Sequence, residues 1–519
     1  MDTHSALRAS TSDEWKYLAE GGAHLVFAYR GSSPLLQNKV IRARKDRLGG
    51  TSKEQQKTSF DVARDHLSRQ VIPSLVPHQL LPADDIIAVK ADWLQELIRD
   101  SVNLRPASRL TPGSDRSIPV PMHTLDNDAI EVSLVENLLG GEGDLAIEIK
   151  PKCGFLPSPR FLSDDSRAVK TRRCRFCMHR LLRANERSQA DNTQTRGKPD
   201  SSFPTVRDTG QSSDSTQLSD QSRWDYCPLD LYSLDRQRRI HAVTQLYASW
   251  QVTSGEGNNM RLFASGIAIR PTGSPVDRTT DTNSTDSIES NETVEPDDVA
   301  RDQASGNTMM ELPEQLRDRL CASIVDALDD ALVLPLLKAL QQEFDPIGIE
   351  GLGQLANQGQ LDKKVTNPAE PHHAGSTIVF PESLLADPSI AELEAVKQFW
   401  LASLASAPIT TDQPLDELSE SMDIRTLLVF HGISAIFKDC SIIIRFPEAL
   451  RNQVQSSLDP SLEFDLVNGP KAILKIIDLD LKPMKKANKW YELDDRIWRN
   501  AVREELCEDC ALVRRRCVS

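Results

Sequence analysis

The chain has 519 residues, enough for three to five domains of ordinary size, or for fewer large ones carrying insertions. With 39% apolar and 26% charged residues it can form a sizeable core while part of it stays unpacked. A net charge of −15 argues against a general nucleic-acid binder, no run approaches the roughly 18 apolar residues of a membrane span, and Met1–Trp15 lacks the apolar centre of a secretory leader.

In chain order, 23–29 and 39–43 read as short β-prone runs separated by a Gly/Ser/Pro turn region. The polar stretch 45–59 reads as a loop, and 144–149 as a further strand. The segment 186–223 is rich in Ser, Thr, Gln and Asp with few large apolar residues, and is expected to be a disordered insertion. Helical spacing follows at 235–250. A second expected disordered insertion, 272–315, holds eleven acidic residues and two arginines; its local charge of 2 − 11 = −9 leaves about −6 for the remainder, so a basic cleft elsewhere is compatible with the total. Helical spacing returns at 313–344, 389–406 and 492–515, with a loop expected at 351–376. The runs 437–446 and 472–481 are β-branched and apolar enough for buried strands. No internal repeat or coiled-coil heptad is present. Strands interleave with helices without regular alternation, which gives the α+β class, arranged as two lobes.

Four constellations could carry chemistry. Glu20-Gly21-Gly22-Ala23-His24 lets a backbone turn tightly and bring N–H groups to a phosphate, although on this motif alone an ordinary hairpin turn is the better reading. Glu148-Ile149-Lys150-Pro151-Lys152 ends a strand, and alternation puts Glu148, Lys150 and Lys152 on one side with Pro151 stiffening the backbone between the lysines. Fixed ammonium groups there suit a polyanion or charge on a phosphoryl group in transfer. In 475–491 an apolar strand delivers Asp478 and Asp480, hard oxygen ligands suited to Mg²⁺, just before Lys482, Lys485, Lys486 and Lys489. Lys438-Asp439-Cys440-Ser441 opens a strand with a carboxylate able to accept a hydroxyl proton, or with an ordinary turn residue.

The nine cysteines are odd in number and scattered, as in a reducing compartment. Cys174-x-x-Cys177 and Cys507-x-x-Cys510 have zinc-ligand spacing. The first has no second pair nearby in the sequence and the second is followed only by Cys517, so no zinc site is expected at either.

Taken together these residues resemble the inositol-pentakisphosphate 2-kinase family in its fungal form. Glu148–Lys152 fits the family's E-x-K-P-K signature and continues as CGFLP. In the family's order stand EGGAHLVFAYRG with KVIRARK, RFCMH (175–179), YCPLDLYS (226–233), NNMRLF (258–263), KDCSIII and DLDLKP. The resemblance implies a two-lobed fold distantly similar to protein kinases, an N-lobe over 1–140 and a C-lobe over 141–519. ATP, with Mg, would lie between them and give its γ-phosphoryl group to the 2-hydroxyl of inositol 1,3,4,5,6-pentakisphosphate. It implies a nucleotide site of Gly21, Gly22, Ala23, His24, Val26, Val40, Arg42, Glu136, Leu138, Glu148, Asn259 and Ile443. Asp439 would be the general base, Lys150 the stabiliser of the moving phosphoryl group, and Asp478 the Mg ligand with Asp480 as helper. Substrate phosphates would meet Lys150, Lys152, Lys170, Asn258, Arg261, Lys482, Lys486 and Trp490, with an arginine from the lobe junction, Arg105 or Arg109.

Lys486 and Trp490 stand where members more often carry Arg and Tyr. Plant members hold a structural zinc shortly before the KDCS block; here 363–425 contains His372 and His373 but no cysteine, so that zinc is predicted absent. The expectation is a monomeric kinase of the nucleus and/or cytoplasm, with no nucleic-acid or membrane partner. Two other readings stay open: a kinase for a less phosphorylated inositol, and a non-catalytic inositol-phosphate scaffold.

Overall fold

In the computed structural model the described residues are 2–20, 24–44, 59–105, 129–195, 226–255, 257, 259–271, 309–310, 314–364, 380–406, 422–451, 463–464, 471–505 and 517. Gly21, Gly22, Ala23, Arg109, Asn258, His372, His373, Cys507 and Cys510 lie outside them, as does most of both polar insertions. The described chain is a mixed α+β structure built on two five-stranded antiparallel sheets.

The first sheet runs β1 (Trp15–Glu20), β2 (His24–Tyr29), β3 (Lys39–Arg44), β5 (Ala129–Glu136), β4 (Asp84–Lys90). Strand alternation divides its residues cleanly. Leu25, Phe27 and Tyr29 enter a core shared with Leu94, Leu97 and Ile98 of the amphipathic helix Ala91–Asp100. Ala28, Val40 and Val135, with Leu18 and Val26, form a small separate apolar patch.

The second sheet runs β14 (Ile473–Ile477), β11 (Ser441–Phe446), β6 (Leu145–Ile149), β7 (Met260–Ala264), β8 (Ile267–Ala268). Four two-residue pieces complete the described strands: β9 (Arg270–Pro271) beside β10 (Met309–Met310), and β12 (Leu450–Arg451) beside β13 (Glu463–Phe464). On one face of the second sheet Leu145, Ile147, Ile149, Ile442 and Ile444 pack into the main core with Trp250, Leu328, Leu337, Phe344, Phe430 and Phe437 of the surrounding helices. The opposite face carries Glu148 across from Ile443 and Arg261, so the polar positions of three neighbouring strands emerge together.

Arg445 joins the two sheets at the connection from β5 to β6. Its guanidinium meets the Glu136 carboxylate at 2.5 Å and donates to the Asn137 carbonyl at 3.0 Å. The Asn137 N–H in turn donates to the Asn38 carbonyl at 2.7 Å.

Several expected elements are corrected. Helix Arg175–Thr195 runs well into the segment read as a disordered insertion from 186. Within 272–315, Met309–Met310 pairs parallel to Arg270–Pro271, and a helix starts at Glu314. The helix read across 313–344 is two, Glu314–Asp330 and Val333–Glu343, broken at Leu332 in the left-handed region. The last helix, Ala487–Glu505, begins before the expected start at 492, and 506–515 lie outside the described residues. Ser59, read as the end of a loop, begins a helix.

The loop expected at 351–376 is helical as far as 364, in Gly348–Lys364. Its polar composition reads as a loop, and its glycines each cost a helix about 0.5–1 kcal/mol relative to alanine. They stand there for contact: a Cβ on Gly353 would lie 2.4 Å from the Tyr491 ring, and one on Gly351 3.0 Å from Phe161. Gly353→Ala, which would stabilise an exposed helix by about 1 kcal/mol, is therefore expected to destabilise this protein by about 1–2 kcal/mol through overpacking. A lower denaturation midpoint for Gly353→Ala, recovered in Gly353→Ala/Tyr491→Leu, would bear this out; a raised midpoint would refute it.

Candidate active site

The charged residues singled out by the sequence meet where the chain leaves β6, the helix Ile424–Asp439 and β14. Asp439 ends that helix rather than opening a strand, because Ser441 is the first residue of β11. A carboxylate at a helix C-terminus opposes the helix dipole, and here two lysines offset it. Lys482 Nζ is 3.0 Å from one Asp439 oxygen and Lys152 Nζ 3.4 Å from the other. Burial alone would raise the Asp439 carboxyl. Lys482 and Lys152, with a smaller effect from Lys150, hold it below the ordinary carboxylate value.

Lys150 Nζ lies 3.9 Å from the half-exposed Asp478. Ser441 Oγ sits 2.8 Å from Glu148 and 2.9 Å from Asp478. A hydroxyl has one proton, so it serves one of these carboxylates at a time. Asp480 is exposed, and among the described residues no hydrogen bond or ion pair joins it to the cluster.

On the adjoining strand Arg261 is 3.5 Å from Glu148, and the Asn259 carbonyl accepts the Lys150 N–H at 3.0 Å. Asn259 Oδ1 and Arg261 Nε are buried without a hydrogen-bond partner among the described residues. Orphaned polar atoms beside such a cluster fit an incoming polar ligand. Ile443 is buried on the same sheet face as Glu148, and Val26 and Val40 belong to the small apolar patch of the first sheet. Arg42 is 3.5 Å from the His24 ring. Glu136 and the half-buried Leu138 flank the connection gripped by Arg445.

Lys152 and Asp478 both have φ of +63°, in the left-handed region that non-glycine residues avoid at a cost of about 1–3 kcal/mol. The fold holds Lys152 there through the buried Gln341, a residue without any sequence signal. Its side-chain amide donates to the carbonyls of Lys152 at 3.0 Å and Phe437 at 2.9 Å, and its Oε1 accepts the Gly154 N–H at 2.9 Å. One side chain thus ties the strand end carrying Lys150 and Lys152 to the helix end carrying Asp439. The Tyr232 hydroxyl reinforces the Lys152 carbonyl at 3.3 Å, and a Cβ on Gly154 would strike the Tyr232 ring at 2.6 Å.

Three residues expected at substrate are placed differently. Lys170 is buried between Asp494 and Glu350, 2.7 Å from the latter, and Arg175 adds a contact to Asp494 at 3.2 Å. This ion network joins the helices Asp164–Lys170, Gly348–Lys364 and Ala487–Glu505. Arg105 is buried, with Nε and Nη2 on the two Glu20 oxygens at 2.8 and 2.9 Å. Trp490 packs in an apolar cluster with its ring 5.7 Å from His431. Lys486 closes a short turn, half-buried. The His179 ring is pushed down to about 4, by burial first and then by Arg175, Arg183, Lys152 and Arg496, which marks this face as strongly positive.

Gln341→Met keeps the volume and removes the donors. It should lower stability by about 2–5 kcal/mol through unsatisfied groups and reduce kcat about 10–100-fold through misplacement. Denaturation and turnover measurements together check this, and unchanged kcat in folded protein would refute the positioning role.

The sequence profile described as inositol-pentakisphosphate 2-kinase matches residues 17–496. An inositol-pentakisphosphate 2-kinase of Cryptococcus neoformans is 28% identical over 493 residues, covering 94% of this chain and 92% of that protein. The protein of the same description from Arabidopsis thaliana is 25% identical over 539 residues, 97% of each chain. One from Danio rerio is 23% identical over 259 residues, half of this chain and 44% of that one. A match that begins in β1, spans both sheets and ends inside the last helix shows that the chain belongs to the inositol-pentakisphosphate 2-kinase family.

Proposed function

We propose that this protein transfers the γ-phosphoryl group of ATP to the 2-hydroxyl of inositol 1,3,4,5,6-pentakisphosphate, giving inositol hexakisphosphate. The observation that carries the reading is the Asp439 carboxylate held between Lys152 and Lys482, with Lys150 beside Asp478 on the same sheet end. A five-phosphate substrate carries roughly −8 to −10 near neutral pH, at about −1.5 to −2 for each phosphate. A chain of net charge −15 can bind it only through a concentrated basic surface, and these lysines with Arg261 supply one.

Asp439 takes the proton of the 2-hydroxyl as its oxygen forms a bond to the γ-phosphorus. The bond from that phosphorus to the β–γ bridging oxygen breaks and ADP leaves. Lys150 neutralises charge on the group in flight, and Lys152 and Lys482 orient the substrate phosphates around the acceptor hydroxyl. Such chemistry needs positioning and charge neutralisation more than covalent help. Asp478 and Glu148, hard oxygen donors on either side of Ser441, fit a magnesium ion and would hold it. Bound there, the ion would neutralise the nucleotide's phosphates. Val26, Val40 and Ile443 offer the apolar surfaces for an adenine, and the orphaned Asn259 oxygen an acceptor for a nucleotide hydroxyl. The two sheets with their separate cores would form the lobes of a kinase-like fold around this nucleotide.

Incubation with ATP, Mg²⁺ and inositol pentakisphosphate should yield hexakisphosphate. Asp439→Asn should lose about 10²–10⁴ in kcat, and Lys150→Met about 10²–10³. An inactive wild-type protein, or undiminished variants, would overturn the mechanism; turnover of a less phosphorylated inositol alone would reassign the substrate. The depressed Asp439 pKa also sets the pH profile. The base works while ionised, so kcat should fall only below the ordinary carboxylate range. Removing a neighbouring cation in Lys482→Met raises that pKa, so the acid limb of kcat should move to higher pH. An acid limb that stays in place would separate Asp439 from the proton transfer.

A further inference from the structure

On β11 the residues that avoid the main core stand in a row. Ile442, Ile444 and Phe446 enter that core, and alternation turns Ser441, Ile443 and Arg445 to the other face. Ser441 lies between Glu148 and Asp478. Ile443 is opposite Glu148 on one side and Lys475 on the other. Arg445 follows four residues beyond Ser441, about 13 Å away at roughly 3.3 Å per residue. One strand thus presents a carboxylate cluster, an apolar platform and a buried guanidinium, in the order in which the phosphates, the base and the far edge of an extended nucleoside triphosphate would meet them. We propose that Arg445 is a positioning residue for the nucleotide, holding the first sheet so that its apolar patch closes over Ile443. This rests on the nucleotide reading above and adds to it a residue outside the expected nucleotide set.

The contacts of Arg445 are directed at one target. Nη2 meets the Glu136 carboxylate at 2.5 Å and Nη1 donates to the Asn137 carbonyl at 3.0 Å. Nε, although buried, has no hydrogen-bond partner among the described residues. The guanidinium therefore directs its bonds to the chain leaving β5 and not to its own sheet. Asn137 is also held from the first sheet, its N–H on the Asn38 carbonyl at 2.7 Å, and its side-chain amide donates to the Gly140 carbonyl at 2.8 Å. Val135, one residue ahead of Glu136, belongs to the small apolar patch with Ala28 and Val40, so a shift of this connection moves that patch.

A second cation holds the other crossing between the sheets. Lys475 Nζ donates to the Gln79 and Leu81 carbonyls, each at 2.9 Å, just ahead of β4, the strand beside β5. Burial pushes the Lys475 ammonium down; Glu136 opposes that and Arg445 adds to it, so both crossings share one electrostatic neighbourhood. An ammonium fixes a point. The planar fork of Arg445 fixes a carboxylate and a carbonyl together, and with them the tilt of the connection.

Arg445→Met should fold, because Glu136 is partly exposed and the Asn137 carbonyl keeps the Gly140 N–H at 3.2 Å. In that variant of the full-length protein, equilibrium binding of fluorescent N-methylanthraniloyl-ATP with Mg²⁺ should weaken about 10–100-fold through misplacement. Binding of inositol pentakisphosphate, read by calorimetry, should change at least tenfold less, on the same order-of-magnitude reasoning. A residue that merely kept the sheets together would weaken both ligands alike, or neither. Arg445→Lys keeps the ion pair and loses the fork, so it should fold even where Arg445→Met does not, and should bind the nucleotide as poorly. Equal loss of both ligands, or wild-type nucleotide affinity in either folded variant, would overturn the proposal while phosphoryl transfer by the wild-type protein still stood. Wild-type protein that binds no nucleotide at all would overturn the kinase reading and this inference together.

Discussion

The mutual neutralisation of charges at one end of the second sheet is the constraint on which the rest of the structure depends. Asp439 stays ionised at an unfavourable helix end because Lys152 and Lys482 sit on its two oxygens, and Lys150 stands beside Asp478 by the same logic. Lys150 is buried, Lys152 and Lys482 are partly so, and the carboxylates of Asp439 and Asp478 are half-exposed, so the cluster faces solvent through its acids. Such an arrangement tolerates exchange of partners: an incoming polyanion can take the lysines while a proton passes to the carboxylate. The pairs seen without substrate thus keep both sets of groups charged and near one another before reaction.

That balance requires precise backbone placement, which the surrounding fold supplies. Lys152 and Asp478 both occupy the left-handed region, a conformation that persists only where neighbours over-determine it. For Lys152 the neighbours are Gln341 and Tyr232, both acting on its carbonyl, with Gly154 leaving room for the Tyr232 ring. Gln341 also reaches the Phe437 carbonyl, so the strand end carrying Lys152 and the helix end carrying Asp439 share one anchor. Arg445 does comparable work at the connection between the sheets. The backbone strain and the buried amide are therefore parts of one device.

The strands, the α+β class and the charged residues at strand ends were legible in the sequence because each has a local signature: period-two apolar runs, a proline between lysines, acids at the close of a β-branched segment. The residues that hold them were not. Gln341 lies in an apolar helix with nothing in its neighbours to mark it, and its importance arises from backbone groups contributed by Lys152, Gly154 and Phe437. The resemblance implies Lys170, and either Arg105 or Arg109, as substrate ligands. The carboxylates that take up Lys170 and Arg105, namely Glu350, Asp494 and Glu20, come from other elements. The stretch from 351 reads as a loop for its polar composition, whereas a helix packed tightly against Tyr491 and Phe161 leaves no one-dimensional trace except its glycines.

The same limit explains the cysteines: the sulfur atoms of Cys174, Cys177, Cys227 and Cys517 lie within 4.8 Å of one another, although the first pair has no companion nearby in the sequence. Ligand spacing identifies a metal site from sequence only when the pairs are near each other, and Cys174 and Cys227 are 53 positions apart, with Cys517 far beyond both. Chain topology is what unites them, through the helix that starts at Arg175, the short helix at Pro228 and the returning C-terminus. The elements so joined include those that present Lys170 and, through Tyr226, Pro151. The buried Lys170 network works behind these elements, its partners Glu350 and Asp494 drawn from two other helices and, with Arg175, holding a cation-rich surface together against its own repulsion.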